Sequence, residues 1–191
     1  VKGDLDGAIA DYTRALELDP EAKLAWYNRG KVRRAKGDLD GAIADYTQAI
    51  DLDPKYVHAW NNRGNARMDK RDFDGAIEDC SRAIEIDPKY IWAWNNRGNA
   101  RKEKGDFDGA IDDYNRAIEL DPKYVKALHN RGLVRVEMED YDGAIEDYTR
   151  AIELDPKYPA WDGRGVARHK KGDSEGAIKD YTRAIEMNPK D

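Results

Sequence analysis

One pentapeptide recurs at a fixed distance along this chain. Trp94-Asn95-Asn96-Arg97-Gly98 repeats Trp60-Asn61-Asn62-Arg63-Gly64 thirty-four residues later, and Trp26-Tyr27-Asn28-Arg29-Gly30 precedes the Trp60 copy by the same step. Leu128-His129-Asn130-Arg131-Gly132 and Trp161-Asp162-Gly163-Arg164-Gly165 continue the series. A period of this length restricts the fold more than composition does. Each unit is one supersecondary element that cannot bury its apolar face alone, so neighbouring units must stack.

The end of each unit is marked by Asp-Pro or Asn-Pro: Asp19-Pro20, Asp53-Pro54, Asp87-Pro88, Asp121-Pro122, Asp155-Pro156 and Asn188-Pro189. Proline cannot continue a helix and disfavours helical geometry in the residue before it. Before each stop, apolar residues follow helical spacing, as in Phe107, Ala110, Ile111, Tyr114, Ala117 and Ile118. These B-type runs begin at Asp4, Asp38, Asp72, Asp106, Asp140 and Asp173, each an aspartate suited to N-capping. A second, A-type helix precedes every B run but the first. Gly37, Gly105 and Gly172 suit left-handed helix ends, while Arg71 and Glu139 fill the same slot at a backbone cost. The expected architecture is all-α, an α-solenoid of eleven helices in antiparallel hairpins. Residues 1–22 form a half repeat, followed by full repeats at 23–56, 57–90, 91–124, 125–157 and 158–191. The last junction is one residue short and carries Pro159, which predicts a local change in stacking.

These positions resemble the tetratricopeptide repeat. Trp94, Gly98, Ala110, Tyr114, Ala117 and Pro122 stand where that family has its signature residues, and Trp26, Gly30, Ala42, Tyr46, Ala49 and Pro54 form an equivalent set. The resemblance implies a right-handed superhelix with A helices lining a concave groove. It also implies a non-enzymatic scaffold that binds protein partners. Departures from the pattern are an arginine pair around each conserved glycine (Arg29 and Arg33, Arg63 and Arg67, Arg97 and Arg101, Arg131 and Arg135, Arg164 and Arg168) and Cys80 in an aromatic slot. Glycine in the first turn of every B run is a further cost to helix formation of about 1 kcal/mol relative to Ala.

The arginine pairs have acceptors in register. Asp11, Asp45, Asp79, Asp113, Asp147 and Asp180 each precede the B-run aromatic or Cys80, so an internal Arg–Asp ladder between A and B helices is expected. Segment 23–36 holds six basic residues and no acidic one, whereas 106–121 holds six acidic and one basic. On the orientation implied by the resemblance, a basic groove then favours an acidic peptide. Candidate groove contacts are Tyr27, Asn28, Lys31, His58, Asn61, Asn62, Asn65, Trp92, Asn95, Asn96, Asn99, Lys126, His129 and Asn130. Asparagine both donates and accepts, and so can hold a peptide backbone. One subclass of the family clamps the C-terminal carboxylate of chaperones. In its best register Asn65, Asn96 and Lys126 match, while Asn61 and Asn130 replace two of the cations. Regulation or assembly within a larger multidomain protein is the alternative role.

Other chemistry finds little support. The net charge of -6 argues against nucleic acid. No apolar run approaches the roughly 20 residues of a membrane span. His58, His129 and His169 lack ligand spacing, Asp38-Leu39-Asp40-Gly41 is an incomplete calcium loop, and Cys80 lies on an apolar face. No cofactor, metal or catalytic site is expected. The single cysteine and the absence of a signal pattern suggest a cytoplasmic setting. The half repeat at the start and the B helix at the end leave Ile9, Ile178, Tyr181 and Ile185 partly exposed. Continuation of the natural chain or self-association through these ends is expected.

Overall fold

A computed structural model describes residues 4–187. The stop signal Asn188-Pro189 lies outside the described residues, as do the outermost residues of the first and last units. The described residues contain eleven helices and no strand. They divide into two compact units, residues 1–100 and 101–191.

The first unit holds α1 (Leu5–Leu18), α2 (Lys23–Lys36), α3 (Leu39–Leu52), α4 (Val57–Asp69), α5 (Phe73–Ile86) and most of α6 (Ile91–Glu103). Pairing of α2 with α3 is antiparallel. Arg33, late in α2, donates to the carbonyl of Gly41 early in α3, while Arg29 reaches mid-helix Asp45. The same pattern joins α4 to α5 through Arg67 with Gly75 and Arg63 with Asp79. Small residues allow the approach: Ala42, Ala49, Ala76 and Ala83 are fully buried. A Cβ on Gly30 would lie 2.8 Å from the Tyr46 ring, so the close crossing of α2 over α3 requires glycine there. Between hairpins, Ala83 and Ile84 of α5 pack with Ala93 of α6, flanked by Val57, Trp60, Tyr90 and Trp94.

The second unit contains α7 (Phe107–Leu120), α8 (Val125–Glu137), α9 (Tyr141–Leu154), α10 (Trp161–Lys171) and α11 (Ser174–Met187). Hairpins α8–α9 and α10–α11 repeat the arginine pattern through Arg135 with Gly143 and Arg168 with Gly176. The shortened junction at Pro159 is matched by a short α10 of 11 residues, against 13 in α8. Both units are built of antiparallel helix hairpins, so the fold class is the all-α solenoid architecture expected.

Local rules account for the helix ends. Asp38, Asp72, Asp106 and Asp140 each accept a hydrogen bond from the backbone N–H three residues on. That residue is always glycine, and a Cβ on Gly41 would stand 2.2 Å from an Asp38 carboxylate oxygen. The first-turn glycine therefore makes room for the cap, and its propensity cost is offset by a cap worth about 1 kcal/mol. Gly37, Gly105 and Gly172 have positive φ, and Arg71 (63°) and Glu139 (62°) keep the same left-handed conformation.

Candidate functional site

The arginine ladder is internal. Asp45 accepts from Arg29 Nε (3.0 Å) and Nη2 (2.8 Å) and from Arg33 Nη1 (2.9 Å), and is itself 1% exposed. Asp79 is held likewise by Arg63 at 3.0 and 2.7 Å, with Arg67 at 3.1 Å. In the second unit Arg131 and Arg135 clasp Asp147, and Arg164 and Arg168 clasp Asp180. Burial raises the Asp79 carboxyl above its ordinary value, and the two arginines oppose that shift. Arg29 and Arg63 each have two more partners that the sequence did not suggest. Arg29 Nη1 donates to Thr13 in the preceding B helix and Arg63 Nη1 to Thr47, while the guanidinium lies over Trp26 or Trp60, 4.7 Å from the ring centroid.

The asparagines of the first unit form a directed hydrogen-bond chain. Asn95 Nδ2 donates to Asn96 (3.3 Å), Asn96 to Asn61 (2.9 Å), Asn61 to Asn62 (3.5 Å) and Asn62 to the Tyr27 hydroxyl (2.8 Å). This corrects one expectation. Asn61 and Asn95 are each only 4% exposed, so they do not present themselves to a partner but hold their neighbours. Repetition of a poor helix former mid-helix is thus explained by bonds between successive A helices. Asn28, Asn62, Asn65, Asn96 and Asn99 are half-buried.

The chain of amides ends at Tyr27, whose oxygen accepts from Asn62 and whose O–H is left to donate onward. Burial raises this phenol, and the Asn62 bond partly counters the shift. The Lys31 ammonium lies 5.6 Å from the Tyr27 ring centroid, is exposed, and has no carboxylate partner among the described residues. Beside it opens a cleft of about 330 Å³ lined by Lys31, Arg34, Ala35, Tyr46, Asn62 and Asp69. Arg34 is paired with Asp69 at 2.6 Å. An aromatic row runs from Tyr27 through Tyr56, His58 and Tyr90 to Trp92, with centroid separations of 4.9–5.9 Å. Burial pushes the Tyr56 phenol up to about 12. His58 Nδ1 and the Tyr90 hydroxyl are 2.9 Å apart, and Trp92 is 50% exposed.

In the second unit Lys126 is exposed and Asn130 half-buried. His129 departs from the asparagine pattern. Its Nδ1 is buried without a hydrogen-bond partner, as is the Tyr148 hydroxyl. The reason is a missing rung. Gly163 stands where Asn62 and Asn96 stand in the first unit, and the Tyr148 ring occupies the space of its side chain, 2.7 Å from where a Cβ would be. Desolvation lowers the His129 pKa, and the positive charge of Lys102 adds to the effect.

Sequence profiles for the tetratricopeptide repeat match residues 57–90, 91–124, 125–158 and 158–191, and a related TPR profile matches 2–33 and 30–70. The chain belongs to the tetratricopeptide-repeat family. Family membership makes it a helical scaffold of the protein-interaction type. Among solved structures it is similar to MamA, with 31% identity over 90% of this chain and 94% of that one, at a TM-score of 0.76. YrrB, described as a TPR protein with an unusual peptide-binding site, shares the fold at 22% identity, 94% and 93% coverage and a TM-score of 0.71. A chain of the APC/C hetero-tetramer Cut9-Hcn1 shares it at 17% identity, 99% and 38% coverage and a TM-score of 0.82. Comparison with curated protein sequences returned no match.

Among the described residues no helix is long and apolar enough to cross a membrane. No group of three or more His, Cys, Asp and Glu residues there is placed to hold a metal ion. Cys80 is fully buried, with its sulfur against Gly64 in the slot that Tyr46 fills in the preceding hairpin. Ile178 and Ile185 are each 65% exposed, and Ile9 and Tyr181 are half-buried.

Proposed function

We propose that this TPR protein is a non-enzymatic scaffold whose first unit binds an acidic segment of a protein partner along its A-helix face. The observation that carries this reading is the cleft beside Tyr27. There the Lys31 cation, without a carboxylate of its own, stands next to a hydroxyl donor at the end of a hydrogen-bonded amide chain. A donor and a cation together select an anionic acceptor over a neutral one. Asn62 and Asn96 are held in place by Tyr27 and Asn61, so little side-chain entropy is lost when a ligand meets them. His58 and the exposed Trp92 extend the surface with ring faces, while Asn28, Asn65 and Asn99 flank it. In the second unit Lys126 and Asn130 offer further polar contacts. Family kinship supports the class of ligand: YrrB has a peptide-binding site, and the matching chain of Cut9-Hcn1 is part of a hetero-tetramer.

The test is fluorescence anisotropy with a labelled glutamate-rich octapeptide and its glutamine counterpart. The glutamate peptide should bind more tightly, and Lys31→Ala should weaken it about tenfold, equivalent to about 1.4 kcal/mol. Lys170→Ala, in the exposed end of α10, should leave binding unchanged. Equal affinity for the glutamine peptide would remove the acidic-partner reading.

A further inference from the structure

The chain has five tryptophans, and four of them are engaged in the same way. Trp26, Trp60, Trp94 and Trp161 each donate Nε1–H to the carbonyl of a proline five or six residues before them, at 2.8–3.3 Å. Each also carries a guanidinium over its ring, from the arginine three residues on, 4.7–4.9 Å from the centroid. Trp92 has neither partner among the described residues. Three residues on from it stands Asn95, which is 4% exposed and committed to Asn96. The Trp92 indole is 50% exposed, and its ring neighbour is Tyr90, 4.9 Å away and tilted by 53°.

We infer that the exposed face of Trp92 receives an arginine side chain of the partner. The inference rests on the acidic-segment reading above and adds a second, cationic contact to it. Among aromatic side chains the indole face attracts a cation most strongly, and every other tryptophan of this chain already holds a guanidinium there. A guanidinium is planar and weakly hydrated, so it stacks on a ring at less desolvation cost than an ammonium. Asn96 lies one turn on from Trp92, on the same side of α6. Its Oδ1 accepts from Asn95 and keeps a second lone pair for another N–H. An acceptor beside the ring favours a guanidinium over a proline or an aliphatic side chain, neither of which donates a hydrogen bond. Spacing narrows the partner further. Four ring-to-ring steps of 4.9–5.9 Å lead from Tyr27 to Trp92. An extended chain at about 3.4 Å per residue covers that path in at most about six residues. The fitting segment has a carboxylate for Lys31 and Tyr27 and an arginine within about six residues of it.

The probes are fluorescein-labelled peptides with a run of glutamates and one arginine, placed at each spacing up to six residues on either side of the run. Each has a twin with citrulline, which keeps the shape of arginine without its charge, and another with norleucine. They are titrated against the 191-residue chain by fluorescence anisotropy. At the best spacing the arginine peptide should bind about three- to fivefold more tightly than its citrulline twin, the gain expected of a cation on a half-exposed ring. Trp92→Leu should abolish that difference. Trp92 is half exposed, so this variant should keep the native circular dichroism and thermal midpoint. Equal affinity of the arginine and citrulline peptides at every spacing would overturn this inference alone and leave the acidic-segment reading standing. A gain that survives Trp92→Leu would overturn it too, and so would a norleucine peptide that binds as tightly as the arginine one, because the occupant would then be apolar. Absence of binding by all the peptides would remove the acidic-segment reading and this inference with it.

Discussion

Replacing Asp79 by asparagine tests the ladder where it is most enclosed. The carboxylate has no exposed surface and accepts three guanidinium contacts, two from Arg63 and one from Arg67. An asparagine of the same shape keeps one acceptor oxygen and turns an amide N–H₂ against guanidinium donors. Arg63, itself only 9% exposed, would then have Thr47 and the Trp60 ring but no counter-charge. Breaking a buried pair in this way costs about 3–5 kcal/mol. The lower figure applies here, because the Arg67 side chain is 22% exposed and water can replace part of its loss. With an m-value of about 2 kcal/mol/M in urea, a loss of about 3 kcal/mol lowers the unfolding midpoint by about 1.5 M. The assay is equilibrium unfolding followed by circular dichroism at 222 nm. The double variant Arg63→Met, Asp79→Leu removes both charges together and should fall within about 1 kcal/mol of the wild type. A single-variant loss below about 1 kcal/mol would refute the reasoning, since it would mean that the pair is solvated rather than buried. A double variant as unstable as the single one would refute it as well.

Three further outcomes are expected. Glu139→Gly should raise stability by about 1 kcal/mol in thermal or urea unfolding, because glycine removes the left-handed backbone penalty. Arg71→Gly should gain less, since it also forfeits the contact of the guanidinium with Phe73. Gly41→Ala should be neutral or destabilising in urea unfolding despite the better helix propensity of alanine, because the new Cβ evicts the Asp38 cap. In an Asp38→Ala background the same change should stabilise by up to about 1 kcal/mol. His129 has a depressed folded pKa, so as pH falls below about 6.5 the unfolded chain takes up the proton first and stability drops. His129→Gln should flatten that part of a pH-stability curve between 7 and 5 measured by thermal unfolding, and an unaltered slope would exclude His129 as its source.

The hairpin architecture was legible because its signals are local and repeated. Asp-Pro stops, capping aspartates and a 34-residue period each follow from backbone chemistry, and the arginine–aspartate register could be read because both members recur together. The left-handed Arg71 and Glu139 could be anticipated from the glycine in the same slot elsewhere. The asparagine chain was harder. Helical periodicity places Asn61 and Asn62 on neighbouring parts of one face, but it does not show which of the two lies between helices. Asn96 reaches Asn61 only through the rise from one hairpin to the next, a distance absent from either helix alone. The glycine after each capping aspartate was read as a cost because the space taken by a carboxylate is not visible in a propensity scale. The buried nitrogen of His129 depends on a glycine in the next hairpin, and nothing within its own repeat signals the loss.

Arg29 and Arg63 each grip an aspartate in their own hairpin and a threonine in the hairpin before it. Every such unit therefore carries one half of the fastening to its predecessor and offers the other half to its successor. A duplicated or deleted unit would bring matching halves with it, so a gene of this kind can lengthen or shorten by unequal exchange without inventing a new interface. The step from asparagine to Gly163 near the end shows the other side of that economy. A rung that repetition supplies can also be lost in a single unit, and the hairpin on either side still folds.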